Sequence, residues 1–229
     1  MRKLIACLFF LSIATYAHAE TVTMKLVNVG PGYNDGQYYV YPYNFSINGS
    51  ASLTSLMCDD YVDDINFGES WQAHVYSMTD VIANGKGQMN PVSSGSLAYK
   101  YGQTDKRAYE EAAWLYMKLM ANVTSANAVD INHTVWALFS TTPYNNNANV
   151  ISWFNQASAA TAGMSDAQAE SFFANVRIYT PISGTQSEGG RPQEFIGVPE
   201  PASITLLMIG LLGFTSFAYR RKYFRLPLT

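Results

Sequence analysis

Tyr39-Val40-Tyr41-Pro42-Tyr43-Asn44-Phe45-Ser46-Ile47 sets a large apolar side chain at every second position: Tyr39, Tyr41, Tyr43, Phe45 and Ile47. Successive side chains of an extended chain point to opposite faces, so this alternation predicts a half-buried strand. Thr21–Val29, Leu53–Cys58 and Trp71–Met78 read as further strands, parted by turns such as Asn34-Asp35-Gly36 and Asn48-Gly49. Downstream the period changes. Ala108, Ala112, Leu115 and Leu119 recur at helical spacing between Lys106 and Ala121, with Thr104 or Asp105 as the cap. A second helix is expected over Ala128–Ser140, capped by Asn127 and carrying Ile131, Val135 and Leu138 on one stripe. Asn149–Ala160 reads as a third, and Ser165-Asp166-Ala167-Gln168 as the capping-box start of a fourth. Phe173–Tyr179 is then a late strand returning to the sheet. Strands, inserted helices and a closing strand predict an α+β fold: an antiparallel β-sheet or sandwich with an inserted helical subdomain.

Composition narrows the function classes. Of 229 residues, 48% are hydrophobic and only 14% charged, with a formal net charge of −3. That balance excludes a charge-rich disordered chain and a basic nucleic-acid binder. The charge is unevenly placed: residues 220–229 hold Arg220, Arg221, Lys222 and Arg225 and no acid.

Both ends read as addresses. Met1-Arg2-Lys3, an apolar run from Leu4 to Tyr16 and Ala17-His18-Ala19 form the pattern of a secretory signal peptide, with cleavage expected after Ala19. At the other end, Ala202 to Tyr219 carries no charge and is long enough to cross a bilayer. Arg220, Arg221 and Lys222 follow directly, a cluster expected to anchor the cytoplasmic side. The expected organisation is a signal peptide (1–19), an exported α+β domain (20–182), a linker (183–201), a transmembrane helix (202–219) and a basic cytoplasmic stub (220–229).

Pro199-Glu200-Pro201 stands immediately before the apolar run. Pro-Glu-Pro, one span and an Arg-rich stub together resemble the PEP-CTERM sorting signal. The resemblance implies processing by signal peptidase and by an exosortase in a Gram-negative bacterium that makes exopolysaccharide. It further implies an inner-membrane-anchored precursor that ends at the cell surface or outside the cell.

Within the body, Cys58 is the one cysteine left after signal cleavage, which excludes an internal disulfide. It is expected to be a buried free thiol facing the helix that carries Asn132 and Trp136. Asp59, Asp60, Asp63 and Asp64 beside it lack the glycine and regular alternation of an EF-hand, so they read as a solvated acidic turn. His74 falls on the solvent side of its strand, and His133 is the candidate base for a Cys–His nucleophile. No Gly-x-Ser-x-Gly, His-Glu-x-x-His or phosphate loop occurs, and no metal-ligand spacing links the histidines to the cysteine. The expectation is therefore a protein that is not an enzyme and takes no cofactor or metal.

Met57-Cys58-Asp59-Asp60-Tyr61, Ala112-Ala113-Trp114-Leu115 and Ile131-Asn132-His133-Thr134-Val135-Trp136 form an ordered series. It resembles a Cys-Asp-Asp group of exported PEP-CTERM proteins, which is in turn similar to bacterial thioester domains. There a strand cysteine condenses with a helix glutamine to give an amine-capturing electrophile. This chain carries Asn132 where the pattern has glutamine, one methylene too short to reach the sulfur without strain. The first reading is thus a structural or adhesive surface protein tied to exopolysaccharide or another envelope component. A covalent thioester-type adhesin using Cys58 and Asn132, and a cysteine hydrolase, are its alternatives.

Overall fold

The computed structural model describes residues 20–199 apart from 90, 188 and 189. Its strands are β1 (Glu20–Asn28), β2 (Tyr43–Ile47), β3 (Leu53–Cys58), β4 (Ser70–Ser77), β5 (Arg177–Pro181) and β6 (Phe195–Gly197). Every pairing is antiparallel, and the order β1-β2-β3-β6-β5-β4 closes on itself through β1 and β4. The expected open sheet or sandwich is thus a closed six-stranded barrel. The strand that corrects it is β6, which pairs Met57 with Ile196 on one side and Tyr179 with Phe195 on the other. Without β6 the strands β3 and β5 would be sheet edges. With it, no edge remains.

β6 also moves the domain boundary. Residues 183–201 are expected as linker, yet Glu194, Phe195 and Ile196 are all fully buried within the body. Gly197 packs so tightly against β3 that a Cβ there would lie 2.3 Å from Leu56 Cδ2. Only glycine permits that approach.

Strand alternation fills the barrel. Val22, Met24 and Leu26 of β1 point inward and are buried, while Thr21, Thr23, Lys25 and Val27 face out. The inward rings of Phe45, Trp71 and Phe195 meet at centroid distances of 4.7 to 6.4 Å. An eight-stranded barrel is just wide enough for side chains to fill, so six strands around three large rings leave a packed core.

The stretch from Tyr39 to Ile47 is a strand only from Tyr43 onward. Before it, Asn34 bridges to Tyr39, and Tyr41–Pro42 is a cis peptide. Tyr41 and Tyr43 are buried, whereas Tyr39 remains 45% exposed. β4 stops at Ser77 because Ser77 and Asp80 form a reciprocal capping box that opens α1 (Met78–Asn84).

The other helices between β4 and β5 are α2 (Leu97–Lys100), α3 (Asp105–Ala121), α4 (Ser125–Phe139), α5 (Ala148–Thr161) and α6 (Asp166–Phe172). Thr104 caps α3, and the expected Ser165 box caps α6. For α4 the cap is Thr124, whose hydroxyl accepts from Asn127 N; Asn127 itself lies inside the helix. Phe173 ends α6 and does not begin the late strand, which starts four residues on at Arg177. α3, α4 and α5 pack on one another, and α4 also meets β3. That contact builds the site.

The expected signal peptide 1–19, transmembrane helix 202–219 and stub 220–229 lie outside the described residues. Among the described residues no helix is long and apolar enough to cross a membrane.

Candidate functional site

Cys58 ends β3 and is fully buried; its Sγ donates to the carbonyl of Asp60 at 3.0 Å. Burial first, then the charges of Asp60 and Asp59, push the thiol pKa well above its ordinary value. The structure brings Asn132 to the same place. Asn132 Nδ2 donates to Cys58 O at 2.9 Å, and its Oδ1 accepts from Tyr41 N at 3.2 Å. One buried amide therefore ties α4 to the end of β3 and to the segment entering β2. Trp136, one helical turn on, sets its indole beside the sulfur and slightly counters the rise in the thiol pKa.

His133 does not serve the thiol. Its Nε2 pairs with Asp35 Oδ2 at 2.8 Å, and its ring stacks on Tyr144 at 3.6 Å, nearly parallel. Tyr144 OH donates to the same Asp35 oxygen at 2.7 Å, while Gln37 N and Tyr38 N donate to Asp35 Oδ1. Burial alone would raise the Asp35 pKa, but these donors and His133 outweigh it and hold the carboxyl at about 2. Burial lowers the His133 pKa against the pull of Asp35. The His74 ring meets Thr21 Oγ1 at 3.3 Å, on the outer side of β4.

The acidic turn is solvated only in part: Asp64 is exposed and Asp63 half-buried, but its first two acids are closed over. Asp59 and Asp60 are at most 1% exposed. Asp60 accepts from Val62 N, Asp63 N and Gln88 Nε2, and Gln88 Nε2 also reaches Asp63 Oδ2. Asp59 lies beside Glu194, which enters from the segment leading to β6. Glu194 accepts from Tyr109 OH, Thr180 OH and Gln88 N. Gly87 makes room for the Tyr109 hydroxyl: its φ is +121°, and a Cβ there would sit 2.1 Å from that oxygen. Neither oxygen of Asp59 has a hydrogen-bond partner within hydrogen-bonding geometry. Burial, the Glu194 charge and Asp60 therefore push the Asp59 pKa far up. Burial raises the Glu194 pKa as well, but its three donors counter that rise, whereas Asp59 has none and is held the further up of the two. Asp63 is raised to about 6, chiefly by burial and Asp60. Among the described residues no group of three or more His, Cys, Asp or Glu is arranged to hold a metal ion.

Outside this buried layer opens a cleft of about 250 Å³. Trp136 forms part of its wall, with Tyr38, Tyr39, Tyr43, Tyr61 and Phe67 around it. The rings interlock edge to face: Tyr38 lies 6.0 Å from Trp136 and 5.5 Å from Tyr61, and Tyr39 lies 6.1 Å from Phe67. Gln37, Asp64, Asn66 and Gln193 supply the polar lining. Asp35 holds the turn that carries Gln37 and Tyr38, so the His133–Asp35–Tyr144 array fixes one side of the cleft to α4. Sequence reading missed this cleft. Its signal lay in tyrosines spread over two loops, which follow no period of helix or strand.

Residues 197–222 match the PEP-CTERM protein-sorting motif, which takes in Pro199, Glu200 and Pro201 and Arg220, Arg221 and Lys222. The motif marks an exported protein sorted by an exosortase. Comparisons with curated proteins and with solved structures give no match for this chain.

Proposed function

We propose that the exported body is a non-enzymatic structural or adhesive protein that binds a saccharide of the exopolysaccharide or biofilm matrix in the aromatic cleft. The observation that carries this reading is the cleft wall. Tyr38, Tyr39 and Phe67 are between 38% and 59% exposed, and amides line the same opening. Aromatic faces pack on the C–H faces of sugars, and amides and carboxylates exchange hydrogen bonds with hydroxyls. Exposed rings of this kind contribute little to a core, so a ligand is what gives them contact area.

The test is binding of matrix polysaccharide to the purified full chain, measured by calorimetry. Tyr38→Ala and Phe67→Ala are expected to weaken binding at least ~10-fold, about 1.4 kcal/mol, with little change in melting temperature. Unchanged affinity in both variants would remove the cleft from the reading.

The covalent reading has one observation in its favour, the Asn132 amide against the Cys58 backbone. It weighs less, because that amide already uses both ends on backbone groups and the thiol is directed to Asp60 O. A native mass lower by one ammonia, or uptake of methylamine, would favour it.

A further inference from the structure

The polar groups facing the cleft are unevenly matched in charge. Asp64 lines it, and among the described residues no Lys, Arg or His does. Behind the lining stand more acids: Asp35 beneath the Gln37–Tyr38 turn, ionised with a pKa of about 2, and Asp60 and Asp63 bridged by Gln88. Arg191 is paired with one of these acids, its Nε 3.8 Å from Asp63 Oδ2, and it does not line the cleft. Gln193 adds to the imbalance. Its Nε2 is committed to Asp60 O at 3.0 Å, which leaves its carbonyl oxygen as the atom it can offer.

A ring of aromatic faces with a carboxylate at its edge attracts cations twice over. The ring quadrupoles attract positive charge, and the carboxylate supplies a counter-ion. The cleft volume, about 250 Å³, is below the roughly 300–1,000 Å³ of pockets that engulf a drug-sized ligand. It holds one ring of a chain, with the neighbouring units outside. Resting on the saccharide reading above, we infer that the unit bound is an amino sugar with a free ammonium group, held against the packed cluster of Tyr38, Tyr61 and Trp136 with Asp64 as counter-ion. Uronate-bearing chains are rejected by the same field.

The experiment measures binding of the full chain to three soluble probes at low ionic strength: glucosamine oligomers, neutral gluco-oligomers and galacturonate oligomers. The expected order is amino, then neutral, then uronate, with at least a tenfold gap between the first and last. Added salt should narrow the gap. Asp64 is exposed, so Asp64→Asn should leave the melting temperature in place and bring the amino probe down to the neutral level. Tyr38→Ala should weaken both amino and neutral probes. Uronate binding as tight as amino binding, or an amino preference that survives Asp64→Asn, overturns the inference and leaves a saccharide site of other charge preference. Failure of all three probes to bind overturns the saccharide reading itself.

Discussion

Asn132 shows how a single side chain was legible in kind and not in role. Its place on an inward stripe near Trp136 could be read from helical spacing, and so could its approach to Cys58. Its actual work is to bond Cys58 O and Tyr41 N, and those partners lie 74 and 91 residues away. Asn132→Ala strands both groups in a dry interface, where each unmet partner costs about 1–3 kcal/mol. Urea unfolding is expected to show a loss of about 2–6 kcal/mol. Cys58, buried with a raised thiol pKa, should resist thiol reagents at pH 8 in the native protein and react fully in denaturant. Rapid native labelling would contradict the structure. Asp59 was misread as solvated because four acids in six residues normally stay wet; nothing local announces that Glu194 and Tyr109 will close over it. Its folded pKa lies above the unfolded value, so the native state holds a proton that the unfolded chain releases. The stability is complete below about pH 4 and declines as pH rises toward the folded pKa, by up to ~1.4 kcal/mol per pH unit. Asp59→Asn is uncharged at every pH and removes that slope. Glu111, raised by burial to about 8 against the pull of Arg107, acts with the same sign between its ordinary value and pH 8. Unfolding free energies of Asp59→Asn from pH 4 to 8 should therefore fall less steeply than those of the native chain, and an unchanged slope would count against a protonated Asp59.

Among the elements, legibility followed length. β1, β3 and β4 and the helices α3 to α5 repeat their period often enough to be read within a residue or a few at each end, and α6 was read at its start alone, from its capping box. β6 has three residues, too few for any period, and it follows a Gly-, Arg- and Pro-bearing stretch that reads as linker. That one omission turned a closed barrel into an open sheet. The turn from Val29 to Pro42 failed for another reason: its alternating tyrosines mimic a strand, while the Asp35 hydrogen bonds and the Asn34–Tyr39 bridge fold it back on itself. Tertiary contacts overrode the local pattern. The importance of β6 can be measured through Gly197→Ala. The added methyl meets Leu56 in a filled barrel, and overpacking of this kind costs about 1–3 kcal/mol. Thermal melts should show a lower midpoint, with the cleft variants Tyr38→Ala and Phe67→Ala close to the parent as a contrast.

For the molecule as a whole, the sorting motif was legible because it is written in contiguous residues, whereas the cleft is assembled from distant loops. Ala17-His18-Ala19 and Pro199-Glu200-Pro201 bracket the described body. The mature extracellular form is expected to begin near Glu20 and end near residue 200. Intact mass of the secreted fraction checks this, and a retained segment beyond the motif, or a cytoplasmic location, would falsify it. The short β6 then has a consequence in time. A chain exported from its N-terminus delivers β1 to β4 first, the helices next and Phe195–Gly197 last, with the partner of Ile196 waiting 139 residues upstream at Met57. Such long-range closure is slow and keeps strand edges open meanwhile. The barrel can complete itself only when the residues at the threshold of the sorting motif have emerged, so the fold is not finished before export has reached the motif's first residue.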